Sequence, residues 1–234
     1  MGEIKLVCFD WGGVILRIRR SWSEGCLGAG LGVRGQSASE SWADRRRRLS
    51  RVFETGGMSE AEFYEGMSVA MEGLYTPEEV RLVHAAWLVE EYEGMGGVID
   101  RLNAVEGLET GLLSNTNTAH WARQRPDPDG AWPHFPTAGR LKHRHASHLL
   151  GCAKPGPEIY REFQRRVGRS AGEILFFDDL AENIATARGE GWHAELIDHT
   201  KDTASQVLGH LERHGVVSCG ERPGATTFRR PGVC

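Results

Sequence analysis

The 234-residue chain has no apolar run long enough to cross a bilayer, and its N-terminus shows no pattern of charge followed by an apolar leader. It also lacks an excess of basic charge. Its 28 Lys and Arg residues stand against 32 Asp and Glu, a formal net charge of -4, so there is no electrostatic case for nucleic acid or an anionic membrane surface. Its five cysteines, Cys8, Cys26, Cys152, Cys219 and Cys234, are odd in number and show neither Cys-x-x-Cys nor Cys/His zinc spacing. They read as reduced thiols, with Cys8 and Cys152 expected as small core residues. No internal repeat is evident. These absences point to a soluble, cytoplasmic protein whose partner is a small molecule.

What is present is an alternation. Short apolar runs, Ile4 to Phe9, Gly111 to Leu113, Ile174 to Phe177 and His193 to Ile197, each stop at polar residues, and helical patterns lie near 96–105, 156–168, 180–190 and 202–214. Strands alternating with helices imply parallel pairing through right-handed crossovers, hence a three-layer α/β fold around a doubly wound parallel sheet. Such sheets bind ligands beyond the carboxyl ends of their strands. Residues 17–94 break the alternation. They read as mostly helical, with a capping box at Ser59 to Glu62 and another start at Thr76-Pro77-Glu78-Glu79. The expected organisation is a catalytic core of residues 1–16 and 95–215, a helical cap of residues 17–94, and an irregular tail of residues 216–234.

The polar strand ends supply a set of groups suited to phosphoryl transfer: Asp10, Ser114, Lys154 and the pair Asp178 and Asp179. A carboxylate attacking a phosphoryl group needs both charges neutralised, which a magnesium ion on further carboxylates and a lysine would do. A hydroxyl and backbone N–H groups would hold the remaining oxygens.

Four motifs in order, Cys8-Phe9-Asp10-Trp11-Gly12-Gly13, Leu113-Ser114-Asn115-Thr116-Asn117, Lys154-Pro155 and Phe176-Phe177-Asp178-Asp179 with Asn183, resemble those of the haloacid dehalogenase superfamily, phosphatase branch. The last three of these motifs together resemble the subgroup that contains bacterial sugar-phosphate (glucose-1-phosphate-type) phosphatases. That resemblance implies a helical cap over the core and a Mg²⁺-dependent phosphomonoesterase. Asp10 would be the nucleophile, Ser114 and Asn115 would hold the phosphoryl oxygens, and Lys154 would steady Asp10 and the phosphate. Asp10, the Gly12 carbonyl, Asp178 and Asp179 would hold the metal, with Asn183 supporting from the following helix. Trp11 is read either as packing against the cap or as touching substrate.

The resemblance also marks a departure. Most phosphatases of the superfamily carry a second aspartate two residues after the nucleophile, as general acid and base. Here that position is Gly12, as in the subgroup this chain resembles. His120, His134, His143, His145 and His148 are the candidates to replace it. Two other functions compete: a metal-independent 2-haloacid dehalogenase using the same aspartate, and a catalytically silent binding protein on the same fold. Arg45 to Arg48 reads as a solvated helix face or as a wall of the substrate entrance.

Overall fold

A computed structural model of the chain describes residues 3–37 and 39–218; Cys219, Cys234 and most of the expected tail lie outside them. In chain order the first elements are β1 (Leu6–Phe9), β2 (Leu16–Ile18), α1 (Trp22–Gly28), α2 (Glu40–Glu54), α3 (Glu60–Ala70), α4 (Pro77–Ala85) and β3 (Leu88–Glu91). There follow α5 (Met95–Asn103), β4 (Glu109–Ser114), α6 (Thr118–Ala122), β5 (His143–Ala146), α7 (Ser147–Leu150) and α8 (Pro157–Val167). The last are β6 (Ile174–Asp178), α9 (Ala181–Gly189), β7 (His193–Leu196) and α10 (Thr203–Arg213). Among the described residues no helix is long and apolar enough to cross a membrane.

Five strands form one parallel sheet in the order β5-β4-β1-β6-β7. Successive side chains of a strand point to opposite faces, and the core sorts accordingly. Val7, Phe9, Leu112, Leu175 and Phe177 join one apolar cluster with residues of α5 and α10. Leu6, Cys8, Leu113, Ile174 and Phe176 join another with residues of α8 and α9. Both faces of the central strands are therefore buried, which is why they read as continuous apolar runs. The expected three-layer α/β architecture is what forms.

Two elements had no apolar run to announce them. The edge strand β5 is His143-Arg144-His145-Ala146, paired only with β4, so three of its four positions are polar. The short antiparallel ribbon of β2 and β3 joins the two ends of the helical segment, with Arg17 opposite Glu90. The helices between them, α1 to α4, have a separate core that includes Trp22, Phe53, Phe63, Met71 and Tyr75. The expected capping box of Ser59 with Glu62 forms there, the expected helix start at Thr76 carries a second box with Glu79, and Pro77 occupies the first turn of α4.

The turn after β1 is tight. Gly13 N–H donates to the Leu16 carbonyl at 2.7 Å and Leu16 N–H to the Trp11 carbonyl at 2.8 Å. Gly13 sits at φ +84°, and a Cβ there would fall 2.4 Å from Asp179 Cγ and 2.6 Å from Arg20 Nη2. Gly13→Ala therefore combines a left-handed backbone with a clash against the site, and should cost about 1–3 kcal/mol. A thermal melt should show the loss, and a melt equal to the parent's would refute it.

Candidate active site

The register of the sheet brings the strand ends together. Leu6 pairs with both Glu109 and Ile174, and Phe9 with both Leu112 and Phe177. Asp10, just past β1, thus lies between Ser114 at the end of β4 and Asp178 at the end of β6. All three are buried, and so is Lys154.

Lys154 is the electrostatic centre. Its Nζ lies 3.0 Å from Asp10 Oδ1 and 2.6 Å from Asp178 Oδ2. Burial works against the ammonium, but Asp10 and Asp178 outweigh it and hold the Lys154 pKa above the ordinary value. Burial pushes the Asp10 carboxyl up to about 7, against the pull of Lys154 and with the repulsion of Asp178 and Asp179. Trp11 N–H donates to Asp10 Oδ1 at 2.7 Å, so that oxygen is fixed from two sides.

Asp178 is oriented by the start of α9: Asn183 Nδ2 donates to its two oxygens at 2.9 and 3.0 Å, and Leu180 N–H donates to Oδ1 at 2.8 Å. Asp179 faces Arg20 Nη2 at 2.6 Å and His199 Nδ1 at 3.4 Å. Burial raises the Asp179 pKa even against Arg20. Oxygens of Asp10, Asp178 and Asp179 lie within 4.8 Å of one another. Three converging carboxylates, two of them made costly to ionise by burial, are the donor set a hard divalent cation selects. Among the described residues no other trio of metal-ligating side chains comes together in this way.

Asn115 is bound to the backbone of Lys154 in both directions. Its Nδ2 donates to the Lys154 carbonyl at 2.8 Å, and Lys154 N–H donates to its Oδ1 at 2.9 Å. The amide thus positions the lysine. Ser114, Asn115, Trp11 and Gly12 line a cavity of about 530 Å³ between the sheet edge and the helical cap. Trp11 is buried and meets Trp121 edge-on at 6.1 Å. The space a Gly12 side chain would enter is taken by Ile18, whose Cδ1 lies 3.0 Å from a Cβ built there.

Of the five histidines considered as replacements for the missing acid, only His120 lines this cavity. His143 pairs with Glu109, His145 packs on Phe163, His148 Nδ1 contacts the Thr116 carbonyl, and His134 is exposed. His120 Nε2 lies 2.8 Å from the His84 carbonyl, and its ring stacks on His84 at 3.9 Å. Burial lowers His120 to about 4 and holds His84 well below its ordinary 6.5. Between about 4 and 6.5 the unfolded chain binds protons that folded His120 refuses, so stability should fall as pH drops through that window. His120→Gln should therefore gain melting temperature relative to the parent as pH drops from 7 to 5; a difference that does not change with pH would exclude His120 as a source.

Sequence reasoning missed Arg20, Arg51, Glu54 and His84. A lone charged residue or histidine in a mostly helical segment looks like any solvated or core residue. Yet Arg51 Nη1 donates to the Lys154 carbonyl at 2.9 Å, tying α2 to the core. Within the arginine run, Arg46 and Arg47 line the cavity while Arg45 and Arg48 are exposed elsewhere.

Comparison with known proteins adds three findings. The sequence profile of the haloacid dehalogenase-like hydrolases matches residues 4–191. Phosphatase MT3486 of Mycobacterium tuberculosis is 35% identical over 78 residues, which is 33% of this chain and 36% of that one; the chain thus matches about a third of the relative's length. Among solved structures, the HAD family enzyme BT-2542 of Bacteroides thetaiotaomicron, in complex with magnesium and inorganic phosphate, superposes with TM-score 0.69 at 21% identity, covering 87% of this chain and 98% of that one. A predicted HAD-like family hydrolase from Porphyromonas gingivalis superposes with TM-score 0.71 at 25% identity, covering 90% and 98%.

Proposed function

The chain belongs to the haloacid dehalogenase-like hydrolase family, and from that premise we propose that it is a Mg²⁺-dependent phosphomonoesterase acting on a small phosphorylated metabolite, with sugar phosphates as the class its motifs favour. The observation that carries this reading is Lys154, buried between Asp10 and Asp178 at 3.0 and 2.6 Å. The phosphatase and magnesium–phosphate relatives support it.

Asp10 attacks phosphorus with its free oxygen, the bond to the leaving oxygen breaks, and an aspartyl-phosphate forms. Water then cleaves that intermediate, releasing phosphate and restoring the carboxylate. Ser114 and backbone N–H groups of the strand-end loop hold phosphoryl oxygens, and Lys154 offsets their charge. Asn115 keeps Lys154 in place, as Asn183 does Asp178. Asp10, the Gly12 carbonyl, Asp178 and Asp179 would hold Mg²⁺, which when bound supplies charge neutralisation for the transferred group. No carboxyl at position 12 protonates the leaving oxygen, so alcohols that leave readily should be preferred; general acid help is typically worth about 10²–10⁴-fold.

The dehalogenase alternative uses the same aspartate without a metal. Three carboxylates around one lysine and one arginine would repel an anionic haloacid, which argues against it. The test is phosphate release from a panel of small phosphomonoesters with Mg²⁺ or with EDTA, beside chloride release from 2-chloropropionate. Phosphate release that EDTA abolishes is expected. Chloride release indifferent to EDTA would establish the dehalogenase, and neither release from a folded protein would favour the silent binding protein.

A further inference from the structure

The cavity has a second polar pole, on the cap side. One face of α2, carrying Ala43, Arg47, Ser50 and Glu54 at helical spacing, lines it. Glu54, in the last turn, is partly buried and, among the described residues, forms no hydrogen bond or ion pair. The arginines near it on the same helix are engaged elsewhere. Arg46 donates to the Ser37 carbonyl and lies over Trp22, Arg47 pairs with Glu40 and Asp44, and Arg51 donates to the Lys154 carbonyl. The same cavity is also lined by the aromatic side chains of Trp22, Phe53, Phe63 and Trp87.

A carboxyl partly withdrawn from water without a donor is destabilising, and burial raises the Glu54 pKa to about 7 against the attraction of Arg51. Such a group recovers that cost only when something entering the cavity brings it a hydrogen. The entering phosphate is not that partner, because a carboxylate repels it and its end of the cavity is formed by Trp11, Ser114 and Asn115, which adjoin Asp10 and Lys154. The Arg51 contact fixes the last turn of α2 against the Lys154 segment, so Glu54 keeps its place relative to Asp10.

We propose that Glu54 is a specificity-determining residue, accepting a hydrogen bond from an O–H or N–H group on the organic half of the substrate. The preferred substrates are then phosphate esters whose leaving group pairs an apolar face with a hydroxyl or amine, rather than plain alkyl or aryl esters. This rests on the phosphomonoesterase reading for turnover, but binding alone can test it.

Phenyl phosphate, 4-(hydroxymethyl)phenyl phosphate and 4-(aminomethyl)phenyl phosphate make a matched set. Their affinities for the full chain carrying Asp10→Asn, with Mg²⁺, are read from tryptophan fluorescence, since Trp11, Trp22 and Trp87 line the cavity. The two donor-bearing esters should bind at least about tenfold tighter than phenyl phosphate, the size of one hydrogen bond to a charged group. Adding Glu54→Ala should erase that preference. Glu54→Gln should keep it for the hydroxymethyl ester, because the amide oxygen still accepts, and lose the extra attraction for the ammonium. Equal binding of all three esters, or a preference that survives Glu54→Ala, would overturn the proposal. Should Glu54→Ala fail to fold, the hydroxymethyl-to-aminomethyl ratio in Glu54→Gln decides alone, and an unchanged ratio overturns it. The preference in binding without phosphate release from the parent protein would refute the phosphatase reading and leave this one standing.

Discussion

Asp10→Asn is expected to reduce Mg²⁺-dependent phosphate release by at least about 10⁴-fold, the scale on which loss of a covalent nucleophile is felt. The amide keeps the size of the carboxylate and can still accept the Trp11 N–H and the Lys154 ammonium through its oxygen. It cannot form the aspartyl-phosphate. The loss should therefore come without unfolding. In the metal-free protein the variant should even gain stability at neutral pH, because burial raises the folded carboxyl from 3.8 to about 7. Between those values the folded state holds a proton the unfolded state releases, so this group's contribution declines as pH rises from about 4 to 7. Asn has no such decline. Phosphate release and melting temperature at pH 5 and 7, with EDTA, check both halves. Activity within tenfold of the parent would remove Asp10 as nucleophile.

Lys154→Met should have the second-largest effect, on stability as well as on rate. The ammonium is enclosed, with two carboxylates in contact and a third nearby, and Met has a similar length without charge. Removing one partner from a buried ion pair typically costs about 3–5 kcal/mol, which for a domain of this size lowers the melting temperature by on the order of 10 °C. Mg²⁺ should recover part of the loss, since a cation among the carboxylates replaces some of the missing charge. Adding Asp178→Asn to Lys154→Met should also restore stability, because it removes one of the orphaned charges. A single variant that melts with the parent, or a double variant that melts lower than the single, would show that this cluster is not an electrostatic unit.

Much of the fold was legible because local chemistry and tertiary position agree. Leu6 to Phe9 and Ile174 to Phe177 are buried on both faces of the sheet, so they had to be apolar throughout. The capping boxes at Ser59 and Thr76 announce helix starts because their hydrogen bonds are made within four residues. Strand β5 and the β2–β3 ribbon were not legible, since edge and stem strands pair through the backbone with polar side chains outward. Asp10, Ser114, Lys154, Asp178 and Asp179 stood out at strand ends, where acids and a lysine next to apolar runs have no packing reason. Arg20, Arg51 and His84 carry no such mark, because each takes its meaning from a partner far away in the chain, and Glu54 takes its meaning from the cavity it lines.

The sequence by itself determined the parallel sheet, the polar groups at its carboxyl edge and the glycine where an acid usually stands. Those follow from apolar spacing and from single residue types, which need no partner to be read. Only the tertiary structure decided that Lys154 bridges Asp10 and Asp178, that Asn115 holds Lys154 in place, that His120 stacks on His84, and that Glu54 faces the cavity without a donor. Contacts between residues 24 to 144 positions apart depend on where the folded chain brings their segments, and local pattern carries no record of that.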